Sequence, residues 1–530
     1  MSGVLKMESF GALFPRIYTD SSFKGWFVST LLLAAWFGSL INGPIADRFG
    51  RKGSMLAAVV VFVLGSALQA AASTTGVLFG GRAVAGLAVG MLTMIVPMYM
   101  SEVSTAGIRG TLVVLQQCKC RSRASSAGLT VLVSITLGIL VSYWLEYGTQ
   151  YIGGTRCAPD IPYTGADSQF DPYNDVGPNG CTGQSHASWR VPFALQIAPA
   201  IVLGVGMIFY PESPRFYLMR KDEDKALKSL ARLRGVHPDS DVLREEYLSI
   251  KAEVLFDESM ARDKFPGKTG AALYLAQYSS LVSTWPAFRR LFVGSGTMFL
   301  QQFIGCNAMI YYAPTIFGQL GLSGNATSLL ATGVYGIVNT LSTLPALFLI
   351  DKVGRRPLLM CGAVGTFISL VIVGAIIGAY GDLQSHKTAA WTGIAFIYIY
   401  DINFSYSFAP IGWVLPSEIF NLGNRSKAMA ITTSCTWMCN FIIGLVTPDM
   451  LETIKWGTYI FFAAFALIAL VFVYFMVPET KGKSLEDMDV AFGDTAAHEE
   501  KARLFNIAAT LGLTAPVPDE KIVAEAEEHE

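Results

Sequence analysis

Thr297–Pro314 reads TMFLQQFIGCNAMIYYAP, and what its polar residues are for decides how the rest of the chain is understood. The stretch lies in an apolar span that opens after Arg289 and Arg290, yet Gln301, Gln302, Asn307, Tyr311 and Tyr312 stand where an anchoring helix would carry Leu or Val. Uncharged hydrogen-bonding groups at membrane depth face a bundle interior or a wet cavity, and several together mark a path for a neutral, hydroxyl-rich solute. At ~100° per residue, Gln301, Gly305 and Tyr312 share a narrow arc while Gln302 and Asn307 point away from it. One straight helix cannot aim all five at one ligand. Either the helix is broken near Gly305, or some of the amides only tie helices together.

Outward from this stretch, the chain of 530 residues is 52% hydrophobic and 15% charged, the balance of a polytopic membrane protein and not of a soluble enzyme. A net charge of -1 excludes a basic nucleic-acid binder. Eleven apolar segments, at about 26–46, 54–73, 77–100, 127–145, 190–210, 291–314, 327–350, 357–380, 391–415, 427–447 and 458–477, each approach the ~20 residues of a spanning helix. The eight Cys show no zinc spacing beyond Cys118-x-Cys120, and the five His lie outside these segments. No metal or other cofactor is expected.

Lys and Arg gather at Arg48–Lys52, over 212–290 with fourteen of them, at Lys352–Arg356, and at Arg425 and Lys427, whereas the loop 146–187 has Arg156 against five acids. The positive-inside bias places all four basic regions in the cytoplasm and the loop outside, and every span agrees with that alternation. Cys157 and Cys181 share the outer loop and are a candidate disulfide. Asn325-Ala-Thr327 falls outside as a candidate glycosylation site, and Asn424-Arg-Ser426 falls inside, where it would go unused. The tail after Pro478 is cytoplasmic; from Glu486 it carries twelve acids against three bases, the composition of a solvated tail with a disordered far end.

The chain repeats itself. Gly43-x-x-x-Asp47-Arg48-Phe49-Gly50-Arg51-Lys52 is matched by Asp351-Lys352-Val353-Gly354-Arg355-Arg356, and Pro211-Glu212-Ser213-Pro214-Arg215 by Pro478-Glu479-Thr480-Lys481-Gly482. The halves are parallel copies. With Gly81-Arg82, Pro97-x-Tyr99-x-x-Glu102, Arg109-Gly110, the QQxxGxN of Gln301–Asn307, Trp413, Glu418 and Arg425, the set resembles the sugar porter family of the major facilitator superfamily, fungal monosaccharide transporters especially, across nearly all of 20–490.

The resemblance implies an all-α integral membrane fold of two six-helix halves that rock about a sugar held near the midplane, working as a monomer in the plasma membrane. It divides the chain into 1–25, a truncated remnant of the first helix and an outer loop; 26–215, the N-terminal half; 216–288, a cytoplasmic helical linker; 289–482, the C-terminal half; and 483–530, the tail. It names Gln117, Gln301, Gln302, Asn307, Asn339, Trp413 and Asn440 as sugar contacts, with Tyr311 and Tyr312 toward an outer gate. Amides both donate to and accept from hydroxyls, and an indole face stacks on ring C–H groups. Trp437 is better read as packing in the same bundle. Asp47, Arg48, Arg51, Glu102, Arg109, Glu212 and Arg215, with Asp351, Arg355, Arg356, Glu418, Arg425 and Glu479, would form a cytoplasmic latch. Headgroup-solvated topology signals would explain the arginines alone but not acids recurring beside them at matching repeat positions.

Two departures stand out. Only five spans precede the first closing motif against six before the second, and the chain begins at Met1-Ser2-Gly3 where the family's first helix is under way. The acid that proton-coupled members carry there is missing, although its usual partner Arg82 is present, so uniport and proton symport both stay open. Residues 118–133, CKCRSRASSAGLTVLV, interrupt a helix that would otherwise join Leu112–Gln117 to Ser134–Trp144 in seventeen residues. Lys119, Arg121 and Arg123 inside it would cost ~2.5–3.5 kcal/mol each. A cheaper solution makes Ser126–Leu145 the span and moves Gln117 out of the site. A retained intron accounts for the insert, since Cys118-Lys119-Cys120 can be encoded with the splice-donor string GTAAGT and Val133-Ser134 can supply an acceptor AG; a genuine cytoplasmic insertion is the alternative.

The expectation is transport of a hexose or related monosaccharide. The rivals are another polyol or a quinate-like solute, and a sugar sensor that does not transport. An enzyme is not expected, because no acid–base pair or nucleophile constellation stands in the spans.

Overall fold

The computed structural model describes residues 2–103, 125–165, 170–177, 180–322, 325–381, 383–421, 425–483, 485–494 and 496–513. Among these, all regular structure is helical. Eight helices are long and apolar enough to cross a membrane: α1 (Ser21–Phe49), α2 (Arg51–Ala70), α3 (Thr75–Val103), the pair α5 (Ala187–Leu195) and α6 (Ile197–Phe209), α9 (Asn325–Val353), α10 (Arg355–Ala379), α13 (Arg425–Thr453) and α14 (Trp456–Met476), with α5 and α6 together making one of the eight. The other three expected spans are also helical. One is α4 (Ser125–Thr149), which covers Ser126–Leu145 and so starts within the insert. The remaining two are each split, into α7 (Trp285–Phe303) with α8 (Cys306–Gln319), and α11 (Lys387–Tyr406) with α12 (Phe408–Ile419).

The first split follows from Gly305. Its φ of 100° is left-handed backbone that a side chain resists, and a Cβ there would lie 2.8 Å from the Phe462 ring. The second falls at Ser407, three residues before Pro410, whose missing N–H suits the first turn of α12 and leaves the Tyr406 carbonyl without a helical donor.

The same device turns both halves. Gly50 (φ 88°) separates α1 from α2 and Gly354 (φ 105°) separates α9 from α10. A distant carboxylate then caps each following helix. Glu212 accepts from the backbone amides of Arg51 at 3.0 Å and Lys52 at 3.1 Å, and Glu479 from those of Arg355 at 3.0 Å and Arg356 at 3.1 Å. Each carboxylate meets unsatisfied N–H groups at the positive end of a helix dipole. The carboxylates come so close that a Cβ on Gly50 would lie 2.2 Å from one and on Gly354 2.7 Å from the other.

The halves meet along two seams. α1 packs on α13, where Gly25 lets the backbones approach and the Trp36 indole donates to Ser434 at 2.7 Å; α4 packs on α9 and sends the Tyr143 hydroxyl to the Ile310 carbonyl at 2.8 Å. At the end away from the basic motifs, Ser21 and Ser22 both donate to Asp449, at 2.5 and 2.7 Å. There Cys157 and Cys181 form a disulfide, and the turns of residues 4–19 bury Phe10, Phe14 and Ile17.

At the basic end lie the linker helices Glu223–Arg234, Asp241–Lys264 and Gly270–Ser280. The tail differs from the solvated chain its composition implies. Its helix Ala496–Thr510 docks on Asp241–Lys264, with Lys264 3.5 Å from Glu500 and Arg503 paired with Asp263. Interspersed Arg503 gives that acidic segment a partner.

Candidate solute-binding site

Both alternatives left open by the sequence of Thr297–Pro314 are realised at once. Gln301 stands one turn before the break, is 4% exposed, and donates its amide to the carbonyls of Phe408 at 2.9 Å and Ala409 at 3.2 Å, just past the second break. It therefore ties the two split helices together. Tyr400 returns the tie, its hydroxyl donating at 3.1 Å to the Ile304 carbonyl beside Gly305. Backbone groups released by a break at membrane depth need such partners. Gln302 points elsewhere, and the turn at Gly305 brings Asn307 back to donate to it. A straight helix holds residues five apart on different faces.

The other helices add to this. Asn339 on α9 donates to Asp401 at 2.9 Å and to Ser405 at 3.1 Å, both on α11. Tyr311 on α8 faces Asn440 on α13, and the Tyr312 hydroxyl donates to the Gly444 carbonyl at 2.6 Å, so one member of the pair is committed to holding α8 against α13. Trp413 is half-buried beside Gly412, whose missing Cβ makes room for Gln301. Gln117 lies outside the described residues, with Arg109.

Several buried polar atoms here have no partner among the described residues: Gln301 Oε1, Asn440 Oδ1, Trp437 Nε1, Tyr335 Oη, Asp401 Oδ2, and Nε and Nη1 of Arg82. A buried donor or acceptor left alone costs about 1–3 kcal/mol. Carboxamide oxygens beside an indole N–H and a phenol offer acceptors and donors at once, the mixed set that ring hydroxyls match. Arg82 is buried, donates Nη2 to the Val28 carbonyl at 2.9 Å and lies over the Phe27 ring at 4.5 Å, near Tyr311 and Tyr312. Among the described residues no carboxylate pairs with it.

Residues 2–492 match the family described as sugar (and other) transporter. Similar sequences include a probable quinate permease of Aspergillus fumigatus, 34% identical over 88% of this chain and 78% of that protein, and one of Aspergillus niger, 34% identical over the same shares. The chain belongs to the sugar transporter family. Among solved structures, a partially occluded, inward-open conformation of the xylose transporter XylE from E. coli superposes with a TM-score of 0.65 at 23% identity, covering 91% of this chain and 94% of that one. The proton:xylose symporter XylE bound to 6-bromo-6-deoxy-D-glucose gives 0.64 at 24%, covering 93% and 94%. The all-α major facilitator fold is thereby shown.

At the basic end of this sugar transporter family member, the charged residues form two matching clusters. Arg51 pairs with Glu102 at 3.0 Å and Asp47 at 3.3 Å, and Arg355 with Glu418 at 2.8 Å. These pairs join helices of the same half. Asp47 also accepts from the hydroxyl of Tyr274 on the Gly270–Ser280 helix, and the Tyr274 ring carries Lys427 of the other half 4.2 Å from its centroid. The linker thus bridges the halves. Arg215 pairs with Glu253 at 3.1 Å and Asp257 at 2.5 Å of the linker. Two expected members of an acid–base network engage carbonyls instead, Arg356 donating to Tyr474 at 2.5 Å and Arg425 to Phe420 at 3.4 Å, while the Arg48 side chain lies over the Phe49 ring at 5.7 Å and its backbone carbonyl accepts from Arg220. Tyr474 lies in the last turn of α14 and Phe420 just past the end of α12, where carbonyls lack intrahelical partners. The side chains of Asp351 and Asn325 lie outside the described residues.

The sequence reading passed over Asp401. An acid inside the 391–415 span was the available signal, since ionisable residues at membrane depth are rare and mark function by default.

Proposed function

We propose that the chain carries a polyhydroxylated ring solute, a monosaccharide such as a hexose, across a membrane by alternating access. The observation that supports this most is the group of unpartnered buried atoms, Gln301 Oε1 on α7 at the tie between the two split helices, with Asn440 Oδ1 and Trp437 Nε1 on α13. Gln301, Gln302, Asn307, Asn339, Trp413 and Asn440 contact the solute, with Tyr311 and Tyr312 toward the outer face. The clusters at Arg51 and Arg355 are the inner latch, the basic end and tail face the cytoplasm, and the disulfide end faces out, in keeping with the distribution of Lys and Arg. The membrane is the plasma membrane.

A second reading has its own support. Curated relatives at 34% identity are named as probable quinate permeases, and Arg82 holds a buried guanidinium edge that a solute carboxylate would fit. Purified protein in liposomes preloaded with D-glucose, D-xylose, inositol or quinate decides between them by counterflow of the labelled compound. The sugar reading expects exchange with a neutral hexose or pentose; exchange with quinate alone selects the second, and exchange with none rejects transport of these classes.

A further inference from the structure

We infer that Asp401 is the proton-binding group of a solute–proton symport. This rests on the transport reading above and adds to it a residue that neither the sequence motifs nor the comparisons assign. Asp401 is fully buried in α11, six residues before Ser407, where the helix breaks. One oxygen accepts from Asn339 at 2.9 Å and the other has no partner among the described residues.

Among the described residues no cation faces it. Tyr335 and Asn339 face the carboxyl from α9, Tyr143 from α4, Cys306 from α8, and Tyr400 from its own helix. On α10 the titratable Cys361 faces Tyr406 instead. An ionised carboxylate has about four acceptor sites, and burial without a counter-ion is tolerated only when they are filled. Here one carboxamide donates, and the Tyr335 hydroxyl faces the second oxygen without closing a hydrogen bond. A phenol can donate to the ionised carboxylate or accept from the neutral carboxyl, so the partners among the described residues lock in neither protonation state. A group that alternately takes and gives up a proton needs this arrangement.

The link to the solute is Asn339. Its one amide nitrogen serves Asp401 and Ser405, at 2.9 and 3.1 Å. A solute hydroxyl that competes for that amide alters the donation Asp401 receives, and by reciprocity proton binding at Asp401 alters solute affinity. Asp401 also sits beside Tyr400, which holds the Ile304 carbonyl at the other helix break, so the same few residues sense both split helices. In each cycle an O–H bond forms on the free carboxyl oxygen with a proton from water at one face, and it breaks to water at the other; no electron changes hands.

The test uses the full chain in weakly buffered liposomes, with whichever of D-glucose, D-xylose and quinate gives counterflow, and reads external pH as the solute enters. The parent should alkalinise the medium by about one proton per neutral solute. Asp401→Asn should lower that ratio about tenfold or more while counterflow stays measurable, and Asp401→Glu should keep the ratio with a displaced pH midpoint. Proton uptake on solute binding, followed in detergent with a pH indicator, serves for a variant that binds without transporting. Counterflow by the parent without alkalinisation overturns the inference, as does an Asp401→Asn protein that moves protons at the parental ratio or an Asp401→Glu protein with the parental midpoint. Absence of counterflow in the parent would count against the transport reading itself.

Discussion

Arg51 and Glu102 pair at 3.0 Å with both side chains almost wholly out of solvent, at 3% and 6% exposure. Their counterparts Arg355 and Glu418 pair at 2.8 Å, but Glu418 is 19% exposed. Removing one partner of a buried pair strands the other charge, which costs about 3–5 kcal/mol, whereas exposure lowers that figure. Arg51→Ala should therefore lower the unfolding temperature in detergent more than Arg355→Ala does. Adding Glu102→Gln to Arg51→Ala should restore part of the loss, giving a coupling energy well away from zero. Equal losses at the two sites with no coupling would show that both pairs are solvated ornaments.

Glu212 and Glu479 each cap the helix that follows a left-handed glycine. Glu212→Gln and Glu479→Gln should each cost about 1–2 kcal/mol in thermal unfolding, by losing a charged cap at the positive end of a dipole. Because the caps lie in different halves, the double variant should lose the sum. Gly50→Ala and Gly354→Ala should cost at least as much as the caps, since each combines left-handed backbone with a Cβ closer than 3 Å to the capping carboxylate.

Gly305→Ala tests whether the split between α7 and α8 is needed. Its Cβ would press on Phe462, and a straightened turn would pull Asn307 off Gln302. Counterflow should fall by at least about tenfold, the loss of one to two hydrogen bonds at ~1.4 kcal/mol per decade, while the protein still purifies as a single species. Parental counterflow would mean that the split is incidental.

Glu8 lies outside the spans, where it accepts from the Cys157 amide at 2.7 Å and from the Tyr163 hydroxyl. Burial is the largest influence on it and pushes its pKa above the ordinary glutamate value, although both hydrogen bonds pull the other way. The folded chain then holds that proton more tightly than the unfolded chain, so the stabilisation is complete below the ordinary value and fades as pH rises through the raised one. Glu8→Gln cannot ionise. Its unfolding temperature should gain on the parent between about pH 4 and about pH 7; a flat or narrowing gap would contradict the raised pKa.

Much of the fold was legible because membrane spans and basic loops are read from runs of residue type, and the doubled motifs exposed the repeat. The break at Gly305 could be foreseen from polar residues that a straight helix would scatter. Its twin at Ser407 had a local signal in Pro410, but that the carbonyls just past it are held by Gln301 from another helix is written in no local residue. For the same reason Gln301 could be placed in the site but not known to spend its nitrogen on carbonyls. The sequence gathers acids and arginines at one end, yet Arg356 and Arg425 turn to carbonyls that only the folded helix ends present. Asp401 was legible and missed.

The proposed function has a set of buried carboxamides stand in for the water shell of a polyhydroxylated guest, and equilibrium binding is where that stands or falls. The dissociation constant of the solute that gives counterflow is to be measured on purified parent and on the triple variant Gln302→Ala, Asn307→Ala, Asn440→Ala, which spares the helix tie at Gln301. At about 1–1.5 kcal/mol for each hydrogen-bonding side chain, the triple variant should bind roughly 100-fold to 1,000-fold more weakly while unfolding cooperatively. Binding within about twofold of the parent would contradict it.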